Sequence, residues 1–371
     1  MLIMSCVGLS HDKEKMMFKD DFKSVIDAQE KFWTRENTRP ILNFSYTKNP
    51  NIEPYPAPAS PEQKFLDEKY ILGSYRYMTN RNGYIAEGYP KLNSNVGPGC
   101  LAGFVGGDYK LGDNTIWFDH TQFVTDWENP PEISFNENSE LWTHLMRLQN
   151  YYGQNDAHFA MTDIGGVLDV VAALRKTEDL LYDLYDYPDE VIEFSKKVQI
   201  EWLKAFDKQV EIMAKYNQPY DTWMGILSNI PYYPVQCDFC YMLSPDNFDD
   251  FVYDDLRDLI SKLPRSIYHL DGVGELTHVD KIVEIEKLNG IQWTSGAGHE
   301  ALWDAKWLDL YRKIQDKKKN LVLLGGIHEN HMDEFERLIK SIDPTGVYVS
   351  GHFSSREKAE DAIEKITKWC E

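Results

Sequence analysis

The run Ser266-Ile267-Tyr268-His269-Leu270-Asp271-Gly272 sets a histidine and an aspartate two residues apart at the end of a β-rich stretch. On a strand, side chains at i and i+2 point to the same side. His269 and Asp271 therefore converge on one spot if this is a strand end. An imidazole beside a carboxylate can bind a metal, move a proton or grip a polar substrate. The competing reading is structural: Asp271 caps the next helix and His269 is a satisfied core residue.

Other chemistry-bearing residues carry weaker patterns. Ile327-His328-Glu329-Asn330-His331 is one residue short of His-Glu-x-x-His, so the i, i+4 pairing of a zinc protease is absent. The five cysteines, Cys6, Cys100, Cys237, Cys240 and Cys370, are odd in number and imply no disulfide framework. Cys237 and Cys240 form a single C-x-x-C with no second pair, which excludes a four-cysteine zinc site. Cys237 and Asp238 either reach the site or pack beneath a loop. No Gly-x-Gly-x-x-Gly follows the first strand and no Walker-type loop occurs.

Hydrophobic periodicity supplies the elements that must position these residues. It predicts helices over 20–36, 62–79 and 137–151, and a long one from Pro188 whose stripe of Val191, Phe194, Val198, Trp202, Phe206, Val210 and Met213 is core. Strands are expected over 40–46, 159–163, 222–226, 266–271, 290–294, 320–325 and 346–350, separated by helices near 245–263, 278–287, 301–317 and 330–341. A final helix opens at Ser354-Ser355-Arg356-Glu357. Residues 80–135 read as an insertion of short strands, a lid or a dimer contact. Strand and helix alternate through the second half, which predicts a parallel sheet and, over this length, a (β/α)8 TIM barrel in one 1–371 domain with an N-terminal helical segment, 1–36. Sites in such barrels lie at the C-terminal strand ends. Asp163, His269, Asp271, Gln292, Trp293, His352 and Glu87 all fall at or near expected ends.

Bulk properties narrow the partners. The 371 residues are 42% hydrophobic and carry a net charge of −21. That balance argues against nucleic acid or an anionic membrane as a general partner. No basic, apolar leader opens the chain and no run approaches 18 apolar residues, so a cytoplasmic protein is expected.

Four stretches resemble the uroporphyrinogen decarboxylase superfamily, which includes cobalamin-dependent methyltransferases. They are Asp163-Ile164-Gly165-Gly166-Val167-Leu168-Asp169 with Ala172-Ala173-Leu174-Arg175, then Leu243-Ser244-Pro245-Asp246-Asn247-Phe248, Tyr268-His269-Leu270-Asp271-Gly272, and Gly351-His352. The likeness spans roughly residues 140–371. It departs from the decarboxylases at Asn43-Phe44-Ser45-Tyr46-Thr47-Lys48, where their arginines are missing, and from the methyltransferases in replacing two cysteine ligands by Asp271 and His352. The resemblance implies a metal-assisted methyltransferase, with zinc on His269, Asp271 and His352 and with Asp163 and Asp271 as catalytic carboxylates. Tyr268, Trp223 and Trp293 would hold the methyl donor, an aryl methyl ether among the candidates. A separate corrinoid (cobalamin) protein would be the partner of a chain that is a candidate homodimer. The alternatives are a metal-free decarboxylase of a polycarboxylate and a non-catalytic corrinoid or metabolite binder.

Overall fold

The computed structural model describes residues 21–118 and 122–371; the first 20 residues, with Cys6 and the opening of the 1–36 segment, lie outside it. Eleven strands are present among the described residues: β1 (Ile41–Thr47), β2 (Asn82–Ala86), β3 (Leu92–Asn93), β4 (Lys110–Leu111), β5 (Ile116–Trp117), β6 (Phe159–Ala160), β7 (Tyr232–Gln236), β8 (Arg265–Asp271), β9 (Gly290–Thr294), β10 (Asn320–Ile327) and β11 (Val347–Phe353). The main sheet has the order β2-β1-β11-β10-β9-β8-β7. All its pairings are parallel except β1 with β2. Helices connect its parallel strands, as the alternating sequence pattern requires.

The expected closed barrel is not formed by hydrogen-bonded strands. β3 and β6 are two residues each and pair only with one another, in a separate two-stranded sheet. Side chains and a single backbone bond tie the segment after β6 to β7 and the segment before it instead. The Tyr233 hydroxyl accepts from the Ile164 N–H at 2.8 Å and donates to the Thr162 carbonyl at 2.5 Å, tying β7 to the segment after β6. The Met161 N–H donates to the Asp221 carbonyl at 2.9 Å. Gly166 also brings the chains together: a Cβ there would lie 2.1 Å from the Gln236 carbonyl oxygen.

A second expectation fails at residues 222–226. This segment is a turn around Gly225, whose φ of +75° favours glycine. The strand is Tyr232–Gln236, one step later. Its proline, Pro234, speaks against a central strand, but β7 ends the hydrogen-bonded order, where the missing N–H is tolerated.

Strand alternation divides the core in two. Ile41, Tyr232, Ile267, Val322 and Tyr348 form one inner cluster with Met224 and Ile226. Their neighbours Leu42, Tyr233, Tyr268, Leu321 and Val349 belong to the large outer core against the helices. The helix Pro188–Lys215 packs into that outer core, and its Trp202 indole N–H donates to the Gly165 carbonyl at 2.7 Å, fixing the turn that follows Asp163. Among the described residues no helix is long and apolar enough to cross a membrane.

Candidate active site

On β8 the inner side chains are Ile267, His269 and Asp271. The inner cluster fills the base of the sheet and leaves polar residues at the strand ends. His269 pairs in register with Gln292 of β9, and its Nδ1 is held by the Gln292 amide oxygen. That amide is itself oriented, because its Nε2 donates to Thr294 Oγ1 at 2.8 Å. An oxygen can only accept, so His269 carries a proton on Nδ1 and turns its Nε2 towards Asp271. The Nε2 lies 3.9 Å from Asp271 Oδ2, too far for a hydrogen bond. The Trp223 ring stands edge-on to the imidazole, with centroids 5.0 Å apart at 83°.

Asp238 completes the group. It follows β7, and its carboxylate, His269 and Asp271 each offer a ligand atom, with all three atoms within 4.8 Å of one another. One imidazole nitrogen and one carboxylate at the end of β8, with a second carboxylate just after β7, could hold a divalent cation. The Gln292 contact supplies the outer support that metal-binding histidines ordinarily have.

Two further carboxylates crowd this spot. Asp163 accepts from the Gly165 N–H at 2.9 Å, and burial pushes its carboxyl up to about 6 against the pull of His269. Asp169 accepts from the N–H groups of Phe239 and Asp238 at 2.8 and 3.1 Å, which anchors the Asp238 loop. Burial, and then the neighbouring Asp238, raise Asp169 to about 7. Asp238 is raised to about 7 by the surrounding protein first and by Asp271 and Asp163 next. Its side chain still meets solvent, because it stands in the wall of a concavity. Carboxyl groups are therefore concentrated here without an adjacent lysine or arginine among the described residues to balance them. A proton or a cation has to do so.

The concavity is a cavity of about 340 Å³. Asp169, Asp238 and Gln236 form its polar side, while Trp117, Phe118 and Phe239 form apolar walls. The β4–β5 ribbon thus contributes directly to the cavity.

The remaining expected site residues lie elsewhere. His352 does not join His269 and Asp271: its Nδ1 meets Ser45 Oγ at 2.9 Å and its Nε2 meets Thr47 Oγ1 at 3.2 Å, so both nitrogens are engaged by β1 hydroxyls. Tyr268 and Trp293 point outward, one residue out of phase with His269 and Gln292. Tyr268 is fully buried and donates to Glu275 Oε2 at 3.2 Å; burial raises Glu275 to about 11, which keeps it neutral. Trp293 is buried against Trp307, with centroids 5.1 Å apart. Neither reaches a substrate at the strand ends. Glu87 is a structural residue, accepting two bonds from the Arg39 guanidinium at 2.8 and 2.9 Å and one from the Leu42 N–H. Trp223 is beside His269, although on a turn.

The sequence reading undervalued Asp238 and missed Asp169 as site residues. Asp238 lies two residues beyond inward-facing Gln236, so correct placement of β7 carries the same-side parity that links His269 to Asp271. Asp169 lies within the Asp163–Asp169 stretch, but nothing local marks it as facing Asp238.

No family model matches the chain, and no curated protein matches it either. Among solved structures, a methyltransferase from Methanosarcina mazei superposes with a TM-score of 0.60, covering 93% of this chain and 98% of that one at 10% sequence identity. The likeness is one of fold.

Proposed function

We propose that this protein is a cytoplasmic methyltransferase of the uroporphyrinogen decarboxylase superfamily, moving a methyl group from a small donor to a corrinoid held by a separate protein. The observation that carries the reading is the convergence of Asp238, His269 and Asp271 at strand ends beside a cavity with an acidic side and apolar walls. The fold shared with a methyltransferase is consistent with it.

A divalent cation, zinc by the chemistry of the resembling enzymes, would be held by Asp238, His269 and Asp271; bound there it supplies a Lewis acid for the heteroatom that leaves the methyl group. The anchored Nδ1 of His269 and the clustered carboxyl groups fit such a guest. The chain's own residues do the rest. Gln292 holds the imidazole by its Nδ1. Asp169, raised to about 7 and outside the ligand set, can retain a carboxyl proton near neutral pH at the cavity wall. As the methyl–heteroatom bond breaks, its electron pair stays with the heteroatom, which takes the Asp169 carboxyl proton. The methyl carbon forms its new bond with an electron pair from the acceptor. Trp117, Phe118 and Phe239 exclude water from the apolar side.

A polycarboxylate decarboxylase is disfavoured by charge. Among the described residues the cavity lining carries Asp169 and Asp238 but no lysine or arginine, and nearby Lys91 spends its ammonium on the carbonyls of Thr222 and Trp223 at 2.7 Å each. A substrate with several carboxylates would meet like charge.

Methyl donors incubated with the zinc-supplemented protein and chemically reduced cobalamin provide the test. Formation of methylcobalamin, seen by its absorbance, is the expected result. Absence of transfer from ethers, thioethers and methylamines alike, by a folded and metal-loaded protein, would contradict it and favour a non-catalytic binder.

A further inference from the structure

We infer that Lys91 is a positioning residue of the cation site: it sets the Trp223 ring against His269, and so the direction in which the imidazole Nε2 points. This deepens the metal-assisted reading and rests on it. The Lys91 ammonium donates to the carbonyls of Thr222 and Trp223, at 2.7 Å each. Both residues belong to the turn at 222–226, which side chains from several strands enclose. Asn43 of β1 and Tyr348 of β11 donate to the Gly225 carbonyl. Tyr232 of β7 donates to the Ile226 carbonyl, and Asp221 accepts from the Thr222 N–H at 2.8 Å. Those contacts hold the flanks of the turn, whereas Lys91 reaches Trp223 itself. The fit is close, since a Cβ on Gly225 would lie 3.2 Å from Lys91 Nζ.

The indole N–H has no hydrogen-bond partner among the described residues, so the ring takes its place from its own backbone and from packing on the inner cluster. Its contact with His269 matters because of how that imidazole is held. One hydrogen bond at Nδ1, to Gln292, fixes a point of the ring but leaves the ring free to tilt about it. The edge-on indole, with centroids 5.0 Å apart at 83°, removes the tilt and keeps Nε2 on the Asp271 side. A lysine suits the task, because its charged N–H groups make strong bonds to two successive carbonyls. Burial lowers the pKa of this ammonium, and Asp221 pulls against that shift. Groups that orient a metal-binding histidine from outside the ligand set contribute about ten- to hundredfold in metal affinity.

Zinc affinity, measured by competition with a chromogenic chelator, tests the role in four proteins: the wild type, Lys91→Met, Trp223→Ala and the double variant. Methionine keeps much of the lysine's length and loses its donors. Each single variant should weaken zinc binding about tenfold. The double variant should bind no more weakly than Trp223→Ala, because Lys91 acts through the indole and the two losses do not add. A merely structural Lys91 would lower the melting temperature and leave the zinc affinity of the folded protein unchanged. If Lys91→Met does not fold, Lys91→Gln, which keeps one donor group, is read in the same way. Unchanged affinity in the lysine variant or in Trp223→Ala overturns the proposal, as do losses that multiply in the double variant. A wild type that binds no zinc is a separate result: it removes the cation site, and the role of Lys91 falls with it.

Discussion

Replacing Asp169 by asparagine should stabilise the protein at alkaline pH and lose that advantage in acid. In the folded chain the Asp169 carboxyl is raised from 3.8 to about 7, by burial first and by Asp238 second. The folded state thus holds a proton there that the unfolded chain has released anywhere between those two values. Stability linked to this group is fully retained below pH 4 and is lost as pH rises towards 7. A displacement of that size corresponds to about 4 kcal/mol of unfolding free energy. Asparagine is neutral throughout and keeps one of the two acceptor oxygens that hold the Phe239 and Asp238 N–H groups, so the lost bond costs about 1 kcal/mol. Asp169→Asn should therefore be more stable than the wild type by a few kcal/mol at pH 8, and equal or slightly less stable at pH 4. Guanidinium unfolding followed by tryptophan fluorescence, in chelator and at several pH values, measures the difference curve. Parallel pH profiles for the two proteins would refute the claim that this carboxylate is buried without a counter-charge.

Other perturbations follow from the same geometry. Tyr233→Phe removes the hydroxyl that spans the seam between β7 and the Asp163 segment and leaves the Ile164 N–H without its acceptor. Thermal or chemical unfolding should show a loss of about 1–3 kcal/mol, and hydrogen exchange should speed up at Ile164; unchanged exchange there would show that the seam is held by something else. Glu87→Gln breaks the two-bond contact with Arg39. It should lower stability by about 2 kcal/mol while leaving zinc affinity untouched, and a loss of zinc binding would move Glu87 back to the site.

Much of the fold was legible because the chain follows period-based rules. The helix stripe from Val191 to Met213 and the strands around Ile267, Ile291 and Val349 are set by burial alone, and the structure buries them. Two things escaped. The strands β3 and β6, which form their own two-stranded sheet, are too short to leave a periodic trace. The strand Tyr232–Gln236 carries a proline that local propensity counts against a strand, and only its edge position makes it acceptable. At the site, the pairing of His269 with Asp271 could be read from i, i+2 parity. The same parity places Tyr268 and Trp293 on the other face, where the structure has them buried among the outer core. The engagement of His352 by Ser45 and Thr47 depends on the register between β1 and β11, which no local pattern encodes.

The central claim is that Asp238, His269 and Asp271 form one cation site. Zinc is supplied to the purified wild type and to His269→Ala, Asp238→Ala and His352→Ala, excess metal is removed, and the metal retained per chain is counted by mass spectrometry. Close to one zinc per chain is expected in the wild type and in His352→Ala, with most of it lost from His269→Ala and Asp238→Ala. A wild type that retains no metal, or a His269→Ala protein that retains it in full, would contradict the account.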